Sequence, residues 1–306
     1  MKLLGYIELP EHHGLGGFDH AAVHAAWGRL YVAHTANNAV DVIDCASDRY
    51  LYSIPGLIGA AGTLVAEEEE RVFTSNRGEN SIGIFSPDEK TCSVKVQVGE
   101  KPNGLAYDPG RGLLLSANVG DPALPGSCTL SLVDVAERKM IASTPVPGRT
   151  RWTIYDAKTD AFYVNIADPA LILVAEAGDP ARIARTFAIP ASGPHGLDLD
   201  SENGRLFCAC DGKRLIALDV RSGDVQGECN LAGAPDVIFF NAEKKRLYAA
   251  IGSPGLIEIF DTETLKKTAA ISTEEGAHTI GFDPLRQKVY AFLPRSHRAA
   301  VYHDAL

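Results

Sequence analysis

The chain has 306 residues and a formal net charge of −10, with 45% hydrophobic and 22% charged residues. This composition is typical of a globular protein with a sizeable core, and it excludes a disordered or fibrous chain. The acidic balance also excludes broad nucleic-acid binding, because neutralising phosphates requires a basic surface. No apolar stretch approaches the ~20 residues of a membrane-spanning helix, so we expect no membrane partner.

The amino terminus and the cysteines point to a cytoplasmic protein. The first eight residues are too polar for the apolar part of a secretory leader, although a chain trimmed of a leader would look the same. The cysteines lack the dense spacing of a disulfide scaffold and are expected to be reduced; they stand at 45, 92, 128, 208, 210 and 229. Cys208 and Cys210 occupy alternate positions of a predicted strand, so their side chains point the same way. We favour the interpretation that both are small apolar residues of a buried strand. The alternative is that the two thiols bind one metal ion.

In chain order, a predicted strand over residues 3–9 precedes seven variants of one short motif. The motif begins with a basic or apolar residue and continues with bulky apolar residues, as in Arg29-Leu-Tyr-Val-Ala33 and Arg246-Leu-Tyr-Ala-Ala250. Its copies start at 29, 71, 113, 161, 205, 246 and 288, and subtracting successive starts gives intervals of 42, 42, 48, 44, 41 and 42 residues. A regular interval of this length is typical of the blades of a β-propeller.

Each repeat contains four short segments that alternate between apolar and polar residues and are separated by turn residues. In the fifth repeat we predict strands over 195–200, 205–209, 215–219 and 225–231. The last repeat ends after its third strand, and the strand over 3–9 can supply the fourth, which would remove an exposed sheet edge. We therefore predict an all-β protein: one seven-bladed β-propeller domain over residues 1–306, with four antiparallel strands in each blade.

Two segments carry a resemblance to a known family. Residues 29–44, which read RLYVAHTANNAVDVID, and residues 101–109, which read KPNGLAYDP, resemble the YVTN-type, or YncE-like, β-propeller repeat proteins. The resemblance extends over the whole chain and implies the propeller fold. It does not select a function, because such propellers serve as binding platforms, lactonase-like hydrolases, lyases and domains of redox enzymes.

Aligning the repeats identifies one residue per blade just before the innermost strand, where propeller ligands usually bind at the end of the central channel. We call this set the mouth ring; it comprises Asp19, Ala61, Asn103, Arg151, His195, Asp236 and His278. In the first blade the alignment is ambiguous by one position, so that His20 could replace Asp19. The ring varies far more in chemistry than the apolar strand positions do, and it is therefore the best candidate for a functional site.

One half of the mouth ring has the chemistry of a metal site. His195, Asp236 and His278 come from three consecutive blades, and Asp19 and His20 come from the next blade after ring closure. Imidazole and carboxylate groups together suit zinc, manganese, iron or copper. The alternative is that these side chains only turn the chain and contact water.

The other half favours an anionic or carbonyl group on a substrate, because Arg151 offers a planar fork of donors. The predicted substrate-binding residues on this side are Asn103, Asn118, Arg151, Trp152 and Asn165. An ion pair between Arg151 and a neighbouring loop is the structural alternative. The long loop over 118–127 lies on the same face, as either a partial lid or a rigid surface loop.

These observations predict a small-molecule-binding propeller that could act as a metal-dependent hydrolase, such as a lactonase, or as a lyase. The metal would polarise a carbonyl oxygen while His195 or His278 acts as a base and Arg151 stabilises the negative charge. The competing prediction is a non-catalytic platform that binds a protein partner. No nucleotide-binding loop, dinucleotide fingerprint or serine-nucleophile motif is present in the sequence.

Overall fold

The computed structural model describes residues 1–304, apart from the side chains at 180 and 181. These residues form seven antiparallel sheets of four strands each. The first three blades contain β2 (Ala21–His24), β3 (Arg29–His34), β4 (Ala39–Asp44) and β5 (Arg49–Pro55); β6 (Ala60–Ala66), β7 (Arg71–Asn76), β8 (Ser81–Phe85) and β9 (Val94–Gln97); and β10 (Pro102–Asp108), β11 (Leu113–Asn118), β12 (Thr129–Asp134) and β13 (Lys139–Pro145).

The remaining blades follow the same order from the innermost to the outermost strand. Blades four and five contain β14 (Thr150–Asp156), β15 (Ala161–Ile166), β16 (Leu171–Glu176) and β17 (Asp179–Ala188); and β18 (Pro194–Asp200), β19 (Arg205–Cys210), β20 (Arg214–Asp219) and β21 (Val225–Asn230). Blades six and seven contain β22 (Pro235–Asn241), β23 (Arg246–Ile251), β24 (Leu256–Asp261) and β25 (Lys267–Ser272); and β26 (Thr279–Asp283), β27 (Lys288–Leu293), β28 (Arg298–His303) and β1 (Lys2–Glu8).

The seven-bladed propeller predicted from the repeats is confirmed, including the way the ring closes. Strand β1 pairs antiparallel with β28, with Lys2 opposite His303 and Glu8 opposite Arg298. Innermost strands of consecutive blades contact one another around the ring, and β26 contacts β2 where the first and last blades meet. The amino-terminal strand therefore covers what would otherwise be an open sheet edge.

The core lies between the blades. The second and third strands are buried along most of their length, as in β3 and β4, whereas outermost strands such as β13 alternate between half-buried and exposed residues. This difference matches the sequence, because a strand covered on both faces is apolar throughout and a half-covered strand alternates. The geometry that the blades share therefore follows from the pattern of apolar and polar residues along each strand.

A buried tyrosine in the second strand connects several blades to the next. The hydroxyl of Tyr31 donates to the carbonyl of Pro87 and that of Tyr163 donates to the carbonyl of Val220, both at 2.9 Å. In each case the acceptor lies after the third strand of the following blade. The motif that reveals the repeat thus also carries a hydrogen bond between blades.

Cys208 and Cys210 are both fully buried in a hydrophobic cluster between blades four and five. Their sulfur atoms are 3.8 Å apart, and Cys208 contacts the amide oxygen of Asn165 at 3.6 Å. Burial raises the pKa of the Cys208 thiol well above its usual range. All six cysteines are free thiols, and this pair fills the core as the first of the two interpretations predicts.

Candidate functional site at the channel mouth

The mouth ring lies where the alignment places it, and the backbone resolves the ambiguity in the first blade. A side chain on Gly196, one residue after His195, would clash with the carbonyl oxygen of Asp236 in the next blade, 2.6 Å from the Cβ position. His20 makes the equivalent approach, because its amide N–H donates to the carbonyl of Ala61 at 3.0 Å. Asp19 therefore belongs to the ring, and His20 lies one residue further into the channel.

His195 is the centre of the site because a carboxylate lies at each of its ring nitrogens. Its Nδ1 is 2.8 Å from Oδ1 of Asp211, and its Nε2 is 2.9 Å from Oδ1 of Asp236. Nη1 of Arg151 also lies 3.1 Å from Nε2, and Nη2 of the same side chain is 3.3 Å from Asp211. The guanidinium and the imidazole thus share Asp211, and the imidazole also contacts Asp236.

This arrangement shifts the pKa values of His195 and Asp236. Burial lowers the pKa of His195, but the carboxylates of Asp236 and Asp211 outweigh it and raise the value to about 9. Burial raises the pKa of Asp236, and the opposing effect of His195 is larger, so this carboxyl group stays ionised far into acid. At neutral pH His195 is therefore an imidazolium ion that donates from both nitrogens.

His278 completes this side of the mouth with different partners. Its Nδ1 lies 2.8 Å from the carbonyl oxygen of Gly276, and its Nε2 lies 3.7 Å from Oδ2 of Asp236. Since a carbonyl can only accept, Nδ1 carries a proton, and Nε2 is the nitrogen with the lone pair in the corresponding neutral tautomer. The structure thus brings His195, Asp236 and His278 together, as the sequence predicts.

The neighbouring part of the mouth contains a second arginine. Nη1 of Arg77 is 3.0 Å from Oδ2 of Asp19, and its Nη2 donates to the side-chain oxygen of Asn103. Asp19 also lies 3.3 Å from Nε2 of His20. Burial lowers the pKa of His20, so its ring is neutral at neutral pH.

The sequence-based predictions assign no binding or catalytic role to Arg77 or Asp211. Both occupy the first position after the second strand, which is Thr35, Arg77, Val119, Ala167, Asp211, Gly252 and Pro294 in the seven blades. They are the two charged members of that set. Aligning this second ring, in addition to the mouth ring, would have identified both residues from the sequence.

Two predicted substrate-binding residues do not reach the mouth. Asn118 is fully buried, and its amide donates to the hydroxyls of Thr129 and Ser131, both at 2.9 Å. Asn165 is also fully buried and donates to the backbone carbonyl of His195 at 2.9 Å. Neither side chain lines the mouth, because Asn118, the last residue of β11, and Asn165, the last but one of β15, both turn their side chains into the blade.

Trp152 also lies elsewhere than predicted. It follows Arg151 by one residue, so its side chain points away from the mouth and into the channel. There it contacts the imidazole of His20, with ring centroids 4.1 Å apart. Both rings line a channel cavity of about 820 Å³, whereas Asp19, His195 and Asp236 do not line it. The two rings therefore separate the polar mouth from the channel below.

The five predicted metal ligands do not form a ligand set as they are arranged. Both nitrogens of His195 contact carboxylates, and Asp19 and His20 face each other. Among them, Asp236 and His278 are the pair whose ligand atoms face each other, with Oδ2 and Nε2 3.7 Å apart. Across residues 1–304, no group of three or more His, Cys, Asp or Glu side chains is placed to hold a metal ion.

The comparisons with known proteins establish the fold alone. No family model and no curated protein matches the chain. Hydrazine synthase from Kuenenia stuttgartiensis has a similar structure with 13% sequence identity and a TM-score of 0.82, covering 97% of this chain and 96% of that one. The WD40 β-propeller domain of Doa1 shows 11% identity and a TM-score of 0.80, covering 99% and 97%. At these identities the YVTN-type family remains a resemblance.

No helix in the described part of the chain is long and apolar enough to cross a membrane.

Proposed function

We propose that this propeller binds a small molecule with a carboxylate or carbonyl oxygen at its mouth. The observation that supports this most strongly is the contact of Arg151 with His195 at 3.1 Å. Both groups are cations at neutral pH, and like charges at this distance repel each other. Both N–H groups of His195 already donate to Asp211 and Asp236, so an anionic oxygen would relieve the repulsion by accepting a charge-assisted hydrogen bond from Nη1 of Arg151 beside the imidazolium ring.

The part of the mouth next to His195 offers acceptors. Oδ2 of Asp236 and Nε2 of His278 face each other across 3.7 Å, and the His278 side chain is 35% exposed. A hydroxyl or ammonium group on the ligand can donate to either atom. Hydroxy acids, amino acids and lactones combine this kind of group with an oxygen acceptor, and they are the ligand classes that the mouth suits best.

Hydrolysis of a lactone is the reaction that this geometry supports best. In that reaction Nε2 of His278 takes a proton from water while the water oxygen attacks the carbonyl carbon. Arg151 donates to the carbonyl oxygen, and the positive charge of His195 beside it helps to stabilise the developing negative charge. The ring C–O bond then breaks as the leaving oxygen takes from Nε2 of His278 the proton that came from water. This scheme uses His278 as the base and assigns His195 the role of a positive charge, because His195 has no free lone pair.

The binding proposal is tested by calorimetry with small carboxylates and lactones against matched variants. Arg151→Gln should weaken binding about tenfold or more, because a charged donor is lost. Arg295→Gln is the control, since Arg295 is 66% exposed, pairs with Glu275, and lies on a mouth-side loop outside the ring. Binding that Arg151→Gln leaves unchanged, or a complete failure of both ligand classes to bind, would overturn the proposal.

The catalytic step has its own test. His278→Asn should abolish lactone hydrolysis, followed as acid release at constant pH, while carboxylate binding persists at Arg151. A variant that hydrolyses as fast as the unaltered protein would exclude His278 as the base.

A second candidate function is the protein-interaction platform. Three large apolar side chains on mouth-side loops are exposed: Leu15 by 96%, Leu124 by 52% and Ile58 by 48%. Exposed apolar surface around a propeller face is typical of protein-binding sites. This candidate gains if the mouth binds no small molecule and the substitutions Leu15→Ser, Ile58→Ser and Leu124→Ser abolish binding of a purified partner.

A further inference from the structure

The channel below His20 and Trp152 contains a cavity whose lining differs from that of the mouth. Its volume is about 820 Å³, and its wall is formed by innermost strands and by the turns that lead to the second strands. It therefore opens on the face opposite the mouth. A cavity of this size is within the range of sites that enclose a small organic molecule.

Most of the wall is apolar and aromatic. Six aromatic side chains of the channel line the cavity: Tyr107, Trp152, Tyr155, Phe239, Phe240 and Phe282. Aliphatic residues such as Val65, Ile154 and Leu199 complete it. Such a surface favours an apolar ligand body, and its aromatic faces also attract a positive charge.

One carboxylate interrupts this apolar wall. The third residue after the mouth ring is Ala22, Leu64, Ala106, Ile154, Asp198, Phe239 and Gly281 in the seven blades. Only Asp198 in that set is charged. Its Oδ2 accepts from the amide of Phe240 at 2.6 Å and its Oδ1 from the amide of Leu199 at 2.8 Å. These contacts leave further lone pairs for a ligand.

The protonation of Asp198 leaves it available as an anion at neutral pH. Burial raises its pKa to about 6, while the two backbone N–H groups oppose that shift. No cation is among the groups that act on it. A buried carboxylate without a positive partner is costly, and a cationic ligand would supply that partner.

The opening of the cavity is negatively charged, like Asp198 inside it. Glu67, Glu68 and Glu69 lie on the turn between β6 and β7 and line the cavity, as does Asp156. No lysine or arginine belongs to the described lining. Acidic groups around a low-dielectric opening concentrate cations and repel anions.

We propose that the channel cavity binds an apolar organic ammonium ion. The apolar body of the ligand lies against the aromatic and aliphatic wall, and its ammonium group interacts with Asp198 inside or with the glutamates at the opening. This site is separate from the mouth, since His20 and Trp152 close the channel between them. The proposal is therefore independent of the function proposed for the mouth.

The test uses three probes that share a phenylethyl body and differ in charge: 2-phenylethylammonium, 2-phenylethanol and 3-phenylpropanoate. The chain has two tryptophans, so Trp27→Phe leaves Trp152 as the reporter of the cavity. We expect the ammonium probe to change Trp152 fluorescence and to bind at least about tenfold more tightly than the alcohol, because a charged hydrogen bond adds to apolar burial. The carboxylate probe should bind most weakly. Equal binding of all three, or no effect on Trp152, would overturn the proposal.

Variants distinguish the two acidic parts of the site. Asp198→Asn should reduce ammonium binding about tenfold, and unfolding measurements show whether the variant is folded. The triple change Glu67→Gln, Glu68→Gln and Glu69→Gln alters turn residues only, and it should weaken ammonium binding and reduce its dependence on salt. Its control is Glu137→Gln, Glu176→Gln and Glu263→Gln, which changes net charge equally at exposed positions outside the cavity. If the control triple has the same effect, or if neither acidic set affects binding, the assignment is wrong.

Discussion

The imidazole of His20 and the indole of Trp152 meet across the channel with their ring centroids 4.1 Å apart, although they come from blades one and four. Each follows its mouth-ring residue by one position, where blades two, three and five have Gly62, Gly104 and Gly196. The remaining members of this set are Val237 and Thr279. The other five blades have smaller side chains at this position, so the rings of His20 and Trp152 are the groups that close the channel.

Replacing Trp152 with alanine should destabilise the protein. The indole packs against the hydrophobic cluster between blades four and five and against the one between blades six and seven, and we expect a loss of about 3 kcal/mol in the free energy of unfolding. Urea unfolding measures this value. Trp27→Ala is the control, because Trp27 is 41% exposed and should cost under ~1 kcal/mol. Equal losses from the two variants would show that Trp152 is not part of the core.

The pH dependence of stability should report the protonation of His195. Its pKa is raised to about 9 in the folded protein, above the ~6.5 of an unfolded chain. Its stabilising contribution is therefore complete below about pH 6.5 and is lost as the pH rises through 9. The change is on the order of 3 kcal/mol.

The matching measurement is a titration of the histidine ring protons by NMR, together with urea unfolding at pH 6 and pH 9.5. His195→Gln should abolish most of the difference in stability between the two pH values. A ring that titrates near 6.5 in the unaltered protein would contradict the two-carboxylate arrangement.

Zinc should not bind tightly to the mouth at neutral pH. Both nitrogens of His195 contact carboxylates, so binding would require loss of a proton and of a hydrogen bond to Asp211 or Asp236. Elemental analysis and thermal unfolding with added zinc, manganese, iron or copper check this expectation. One equivalent of retained metal, lost on His278→Ala, would restore the metal site that the sequence predicts.

Removing the hydroxyl groups that join blades should lower stability modestly at each site. Tyr31→Phe and Tyr163→Phe each leave a backbone carbonyl without its donor, at a cost of about 1 kcal/mol. The two sites are far apart, and their effects should add. Tyr6→Phe is the control because Tyr6 is 54% exposed. Unfolding midpoints that do not change in the double variant would exclude a role for these hydrogen bonds.

The closure of the ring by β1 can be tested on one buried side chain. Ile7 is 4% exposed and packs between the first and last blades, so Ile7→Ala should cost about 2 to 4 kcal/mol. Leu3 lies on the same strand and is 42% exposed, so Leu3→Ala should cost under ~0.5 kcal/mol. Thermal unfolding compares the two. A neutral Ile7→Ala would indicate that the strand contributes little to closure.

The sequence by itself determined the propeller, its seven blades, the closing strand and the position of the mouth ring. Those features depend on local alternation, turn residues and a regular interval, all of which can be read along the chain. The predicted strands of the fifth blade agree with β18 to β21 within one residue at each end.

Only the tertiary structure decided which side chains act together. Arg151 pairs with Asp211, sixty residues away, and Arg77 pairs with Asp19 across blades, because ring closure sets distances that no local pattern encodes. The same closure engages both nitrogens of His195 and brings Trp152 against His20. The repeat therefore fixes the blade and the strand position of each residue. The packing of neighbouring blades fixes which side chains it contacts and how those contacts shift its protonation.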